Sequence, residues 1–256
     1  MTKEIDFSKF SSIKIGGLHV VHIIEDFDYD DSAYIIGGCT NTLLSLNPPK
    51  LSMLSKKFDF IELRDNTLHV GAATPNGKLN SFCKRNNIAN FEFLSHLPGR
   101  VGGAIKMNAG LKEYEIFNLL TSIKTRNGVI LKEDIDYGYR KTSIKDAVFE
   151  ATFRVDYGYD TQKVEMFKKM RSNQPSTPSA GSCFKNPVGH SAGKLIDDVG
   201  LRGYRVGNMS FSEIHANFLV NCGGGVYEEA IELINLAQSR VLKEFGVKLE
   251  LEIIVL

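Results

Sequence analysis

The sequence predicts an α+β fold with mixed sheets, and three observations carry that prediction. Short apolar runs of strand length recur through about residue 155, with few and short helical stretches between them. The clearest helical period comes late, over Tyr227–Phe245. Neither GxGxxG nor GxxxxGK[ST] occurs, so the common dinucleotide fingerprint and the P-loop are both absent.

The early runs that read as strands are Leu18–Ile24, Tyr34–Ile36, Phe58–Glu62 and Leu68–Ala72. Lys78–Asn86 reads as a short helix. Asn127-Gly128, set between IKTR and VILK, is a hairpin turn signal, and Val148–Val155 follows as a strand. Gln162–Asn173 reads as a helix, and the Pro/Ser-rich QPSTPSA after it as a domain connection. Next come a helix over Ser191–Val199, with Leu195 and Ile196 inward, and a strand over Asn217–Asn221. In Tyr227–Phe245 the residues Ala230, Ile234, Ala237, Val241 and Phe245 recur at spacings of three and four. The closing VKLELEIIVL alternates, with Val247, Leu249, Leu251, Ile253 and Val255 on one face of a strand. No internal repeat is visible.

Composition narrows the function classes. The chain has 256 residues, 43% of them hydrophobic, enough for a substantial core and two or three small domains. A formal charge of +1 and the lack of a basic stripe argue against nucleic-acid binding. No apolar run approaches the roughly 20 residues of a membrane span, and MTKEIDFSKF lacks the apolar core of a secretory signal, so the expected location is the cytoplasm. Cys39, Cys83, Cys183 and Cys222 are scattered without CxxC spacing, and no HExxH occurs; no metal site or disulfide framework is expected. Cys183 reads as packing, and His215 as a satisfied histidine in an apolar run.

Three segments carry the chemistry. Tyr34–Ser45 (YIIGGCTNTLLS) leads a strand into Gly37-Gly38, after which Cys39, Thr40, Asn41 and Thr42 offer small polar side chains and backbone N–H groups. That composition suits a phosphate or pyrophosphate, which needs close backbone approach and converging donors. In Leu97–Gly110 (LPGRVGGAIKMNAG), Gly99, Gly102 and Gly103 thin out the side chains while Pro98 stiffens the entry. The third is Ala180–Pro187 (AGSCFKNP): Ser182 can donate a proton or attack, Lys185 can hold an anion and Asn186 can orient a polar substrate. Taken alone, this run also reads as a polar turn.

In this order, these segments resemble the UDP-N-acetylenolpyruvoylglucosamine reductase family, and the resemblance runs along nearly the whole chain. It begins at FSSIKIGG (Phe10–Gly17), and includes YRKTSIK (Tyr139–Lys145), AGKLIDDVGLRG (Ala192–Gly203), HANFLVN (His215–Asn221) and LELEI (Leu249–Ile253). It implies an FAD-binding fold of the vanillyl-alcohol-oxidase class in residues 1–160, made of two subdomains of about 1–50 and 51–160. Residues 161–256 would form a smaller α+β substrate-binding domain whose last strand returns to the active site. It also implies non-covalent FAD, reduced by NADPH, and a UDP-sugar substrate, with a monomer as the expected assembly.

By the same resemblance, Ser182 is the proton donor, Arg140 grips the substrate carboxylate and Glu252 assists there. Glu252, if protonated, can donate to the developing carboxylate, which requires burial or a close anion to raise its pKa. Gly37–Thr42 would hold the pyrophosphate. Pro98, Gly99, Gly102, Gly103, Ala104, Ile105 and Asn108 would line the flavin, and Arg171, Lys185 and Asn186 would contact the UDP-sugar. The chain departs from the family pattern at His96, where a glycine is usual, at Arg100, and at NAGLKEYEI, which loses a Tyr-Gly turn. Two other readings remain: an FAD-dependent sugar or alcohol oxidase of the same fold, and a non-catalytic UDP-sugar-binding protein.

Overall fold

A computed structural model describes all 256 residues, and the chain divides into two compact units. The first comprises residues 1–3, 21–38 and 50–172; the second comprises 4–20, 39–49 and 173–256.

The first unit is built on a five-stranded antiparallel sheet in the order Gly128–Leu131, Leu120–Thr125, Glu150–Arg154, Thr67–Gly71, Ile61–Arg64. Alternation decides which face is covered. Leu68 and Val70, Ala151 and Phe153, and Leu120 and Ile123 point into one core, whereas Thr67, His69, Glu150 and Thr152 point away. Helices Asn76–Arg85, Val101–Lys106 and Thr161–Met170 supply Leu79, Cys83, Val101, Ile105 and Phe167 to the same core. A second, parallel group pairs Leu18–Ile24 and Tyr34–Ile36 on either side of Leu51–Leu54, from Val21 onward in the first strand. Beside it, Tyr29, Phe58 and Phe149 pack edge to face or tilted.

The second unit has a four-stranded antiparallel sheet in the order Ser179–Ser182, Phe218–Asn221, Met209–Phe211, Arg205–Val206. Helix Tyr227–Phe245 buries Ala230, Leu233, Ile234, Ala237 and Val241. Each large aliphatic among these contributes roughly 2 kcal/mol. The Glu229 carboxylate, accepting from the Val226 and Asn208 N–H groups, adds about 1 kcal/mol. Packing therefore outweighs capping in holding this helix. Gly246 closes it in the left-handed region, φ 67°.

Most elements fall where the sequence places them. Leu18–Ile24, Tyr34–Ile36 and Tyr227–Phe245 coincide with expectation, and the remaining helices and strands shift by a few residues. Phe58–Glu62 is corrected: Lys56–Phe58 is a 3-10 turn and the strand is Ile61–Arg64. The hairpin also forms, with Arg126 and Asn127 in the turn and Gly128 (φ 111°) as the first strand residue.

Two larger differences concern organisation. The division falls at 172/173 rather than 160/161, because helix Thr161–Met170 puts Phe167 into the first unit's core and Asp160 N–H donates to the buried Glu92 carboxylate (2.9 Å). Residues 4–20 and 39–49, expected with the N-terminal region, belong to the second unit. Ile13, Ile15 and Leu43 lie in its core, and Asn221 Nδ2 donates to the Ile13 carbonyl (3.0 Å). The terminal VKLELEIIVL is not one long strand either. Only Ile254–Val255 pairs regularly, parallel to Thr42–Leu43, with an isolated bridge from Leu251 to Phe184.

Candidate active site

In the second unit the Ser182 segment and the C-terminal segment lie side by side. Glu252 N–H donates to the Cys183 carbonyl (2.9 Å), and Lys185 N–H donates to the Glu250 carbonyl (2.9 Å). Ser182, on the edge strand Ser179–Ser182, is thus one residue from the backbone bond that holds Glu252. Asn217 fixes the other side: its carbonyl accepts from Cys183 N–H (2.7 Å), and its carboxamide brackets Phe184 through bonds of 3.0 and 2.8 Å. Cys183 itself is fully buried, and burial followed by the Glu252 charge pushes its thiol pKa up. It is therefore a packed, neutral thiol rather than a nucleophile.

The first glycine segment meets this group. Asn41 Nδ2 donates to the Glu252 carbonyl (2.9 Å), and Ile254 N–H donates to the Asn41 carbonyl (2.9 Å). Cys39 takes φ 47°, and its carbonyl accepts from Ser12 N–H (3.1 Å) and Ser12 Oγ (3.3 Å). Cys39–Thr42 is thus braced by Ser12 of the FSSIKIGG segment and by the C-terminal segment. Gly37 and Gly38 fall in the first unit.

The UDP-sugar candidates are distributed. Lys185 Nζ stands 3.8 Å from the exposed carboxylate of Glu250. Asn186 Oδ1 accepts from Ala192 N–H (3.0 Å) at the start of helix Ala192–Asp198. Arg171 belongs to the first unit, where it closes helix Thr161–Met170, and burial lowers its guanidinium pKa.

Arg140 also belongs to the first unit, in the two-residue turn between Tyr137–Gly138 and Lys141–Thr142, with φ 56°. A non-glycine residue there is uncommon, and such backbone persists only where its surroundings hold it. Its guanidinium donates to the carbonyls of Asn108 (3.3 Å) and Gly110 (2.9 Å) and lies 3.9 Å from the Glu115 carboxylate. The fully buried Asn108 donates in turn to Glu115 Oε2 (2.7 Å) and to the Gly138 carbonyl (3.2 Å). Lys106 Nζ grips the Ile144, Lys145 and Asp146 carbonyls, holding the rest of YRKTSIK against helix Val101–Lys106.

The second glycine segment runs antiparallel to residues 72–76: Gly102 N–H donates to the Ala72 carbonyl, Val101 N–H to Thr74, and Asn76 N–H to Gly99. A Cβ on Gly102 would sit 3.0 Å from that of Ala72, whereas one on Gly103 would meet nothing within 4 Å. Gly37 approaches Arg100, whose guanidinium donates to the Ala73 carbonyl (2.6 Å). Two buried polar atoms here lack a protein partner: His96 Nε2 and Asn76 Oδ1. Open space over Gly103, bare backbone and two orphaned polar atoms fit a bound nucleotide.

Sequence reasoning missed Glu115, Asn76 and Lys106. Glu115 lies within the departure NAGLKEYEI, which alone marked that stretch as unusual; Asn76 and Lys106 carried no signal.

Residues 173–256 match the family model described as UDP-N-acetylenolpyruvoylglucosamine reductase, C-terminal domain. The chain is 42% identical over 258 residues to the UDP-N-acetylenolpyruvoylglucosamine reductase of Campylobacter jejuni (strain RM1221), covering 98% of this chain and 99% of that one. It is 40% identical over 253 residues to that of Helicobacter pylori (strain ATCC 700392 / 26695), covering 98% of each. The crystal structure of the Thermus caldophilus reductase superposes with a TM-score of 0.87 at 29% identity, over 100% of this chain and 98% of that one. The fold is that of the α+β reductases. The chain belongs to the UDP-N-acetylenolpyruvoylglucosamine reductase family.

Proposed function

We propose that this chain reduces UDP-N-acetylenolpyruvoylglucosamine to UDP-N-acetylmuramate in peptidoglycan precursor synthesis, using non-covalent FAD recharged by NADPH. The observation that carries this reading is the Glu252 N–H to Cys183 carbonyl bond, which sets the carboxylate-bearing segment beside Ser182.

Reduction of an enolpyruvyl ether adds hydride at the terminal alkene carbon. Negative charge then builds on the carbon bearing the carboxylate, and the reaction ends with a proton on that carbon. FAD, when bound, supplies the hydride, which no side chain can. Gly37–Thr42, Pro98, Gly99 and Gly102–Ile105, with Asn108, are the residues that would hold it. Ser182 Oγ gives up the proton; a serine hydroxyl is a weak acid, so the basicity of the charged carbon drives the transfer. The Arg140 guanidinium pairs with the substrate carboxylate through a fork of donors and stabilises the charge that spreads into it. Glu252, in its protonated form, would donate to the developing substrate carboxylate.

Lys185 serves the UDP portion. Its pairing with the exposed Glu250 is worth about 0–1 kcal/mol, so an incoming anion can replace it. Asn186 and Arg171 complete the proposed contacts.

The test is the colour of the purified protein. It should be yellow and release FAD on denaturation. A colourless protein that binds UDP-N-acetylglucosamine would instead indicate a non-catalytic binding protein, and flavin that stays attached after denaturation would indicate an oxidase.

A further inference from the structure

We infer that Glu115 is a positioning residue for Arg140, holding its guanidinium at one orientation for the substrate carboxylate; this rests on the function proposed above. Gly110–Leu111 and Tyr114–Glu115 form a tight hairpin whose turn is Lys112-Glu113, with Lys112 at φ 54°. Gly110 is required for that closeness: a Cβ there would lie 2.2 Å from the Tyr114 carbonyl oxygen and 2.7 Å from Glu115 Cα. Tyr114 anchors the hairpin edge to face on Phe167, centroids 5.0 Å apart. The hairpin register then delivers Glu115 to two groups at once.

One carboxylate oxygen accepts from the buried Asn108 carboxamide (2.7 Å), and the other faces Arg140 Nη1 at 3.9 Å. The second distance is too long for a hydrogen bond, so that link is Coulombic. Arg140 meanwhile donates to the carbonyls of Asn108 and Gly110, the residues that flank the network. Both charged side chains are about four-fifths buried, 16% and 23% exposed, so solvent screens the pair weakly. Loss of Glu115 would weaken the hold on the guanidinium and would also remove an anion that competes for it.

These two consequences give a signature that a structural role would not produce. Glu115→Gln keeps the shape and one acceptor for Asn108 while removing the charge. Bleaching of the holoenzyme flavin by NADPH, FAD content and the unfolding midpoint should stay as in wild type. Reoxidation by UDP-N-acetylenolpyruvoylglucosamine should slow on the order of tenfold to a hundredfold, as misplacement of a reacting group predicts. KM for the sugar should not rise, and calorimetric affinity for the product should not fall. In the double variant with Arg140→Lys, no loss should appear beyond that of Arg140→Lys alone. Unchanged reoxidation, losses that add in the double variant, or a parallel loss of bleaching and FAD content would each overturn the assignment. A wild-type flavin that NADPH bleaches but the sugar fails to reoxidise would remove the proposed function itself, before any variant is made.

Discussion

Glu250 and Glu252 stand two residues apart on one alternating segment, yet their surroundings differ. The Glu250 side chain is 70% exposed and faces Lys185. Glu252 is half-buried, its N–H bound to the Cys183 carbonyl, its carbonyl bound to Asn41, and its charge close enough to raise the Cys183 thiol pKa. Sequence alternation puts both on one face and cannot rank them; only the family resemblance did. The structure adds a physical reason for the ranking. Glu252→Gln should therefore slow flavin reoxidation by the sugar by tenfold or more, while Glu250→Gln stays within about twofold, as for an exposed pair worth under 1 kcal/mol. Stopped-flow absorbance measures both, and equal effects would undo the assignment.

Among the elements, helix Ala192–Asp198 shows how tightly the second unit is packed. Gly193 is buried against the His215 ring, where a Cβ would come within 3.0 Å of Cε1. His215 Nδ1 accepts from Asn217 N–H (3.3 Å), the same Asn217 that brackets Phe184. The expectation of a satisfied histidine is met by that bond. Burial, then the Arg202 charge, lowers its pKa below the ordinary value of 6.5. The sign follows: the folded state keeps this ring neutral while the unfolded chain protonates first on acidification. Stability from His215 is thus present above about pH 6.5 and lost as pH falls from there through the lowered folded value. Thermal unfolding midpoints of wild type should drop across that window more than those of His215→Gln. Parallel curves would contradict this.

Across the whole molecule, local pattern found helix Tyr227–Phe245 and most strands of the five-stranded sheet, where burial follows period 3.6 or 2, and missed Thr2–Asp6, Leu51–Leu54, Val101–Lys106 and Met209–Phe211. It did not find the division into units, which depends on partners remote in sequence. Asn221 holds Ile13 from 208 residues away and Asn41 holds Glu252 from 211, and neither link leaves a trace in local periodicity. The candidate site divides in the same manner. Ser182 and the glycine segments were legible as residue types that a plain core does not need and Arg140 only through the family resemblance, whereas Glu115 acts only through a hairpin whose register the sequence does not display.

The proposed chemistry requires that the proton come from Ser182. Reduce the Ser182→Ala holoenzyme with NADPH in the absence of oxygen, mix it with UDP-N-acetylenolpyruvoylglucosamine, and follow the flavin absorbance. Bleaching should match wild type and reoxidation should be slowed by at least about a hundredfold, the contribution expected of a positioned general acid. Reoxidation at the wild-type rate, or equal slowing of both half-reactions, would contradict it.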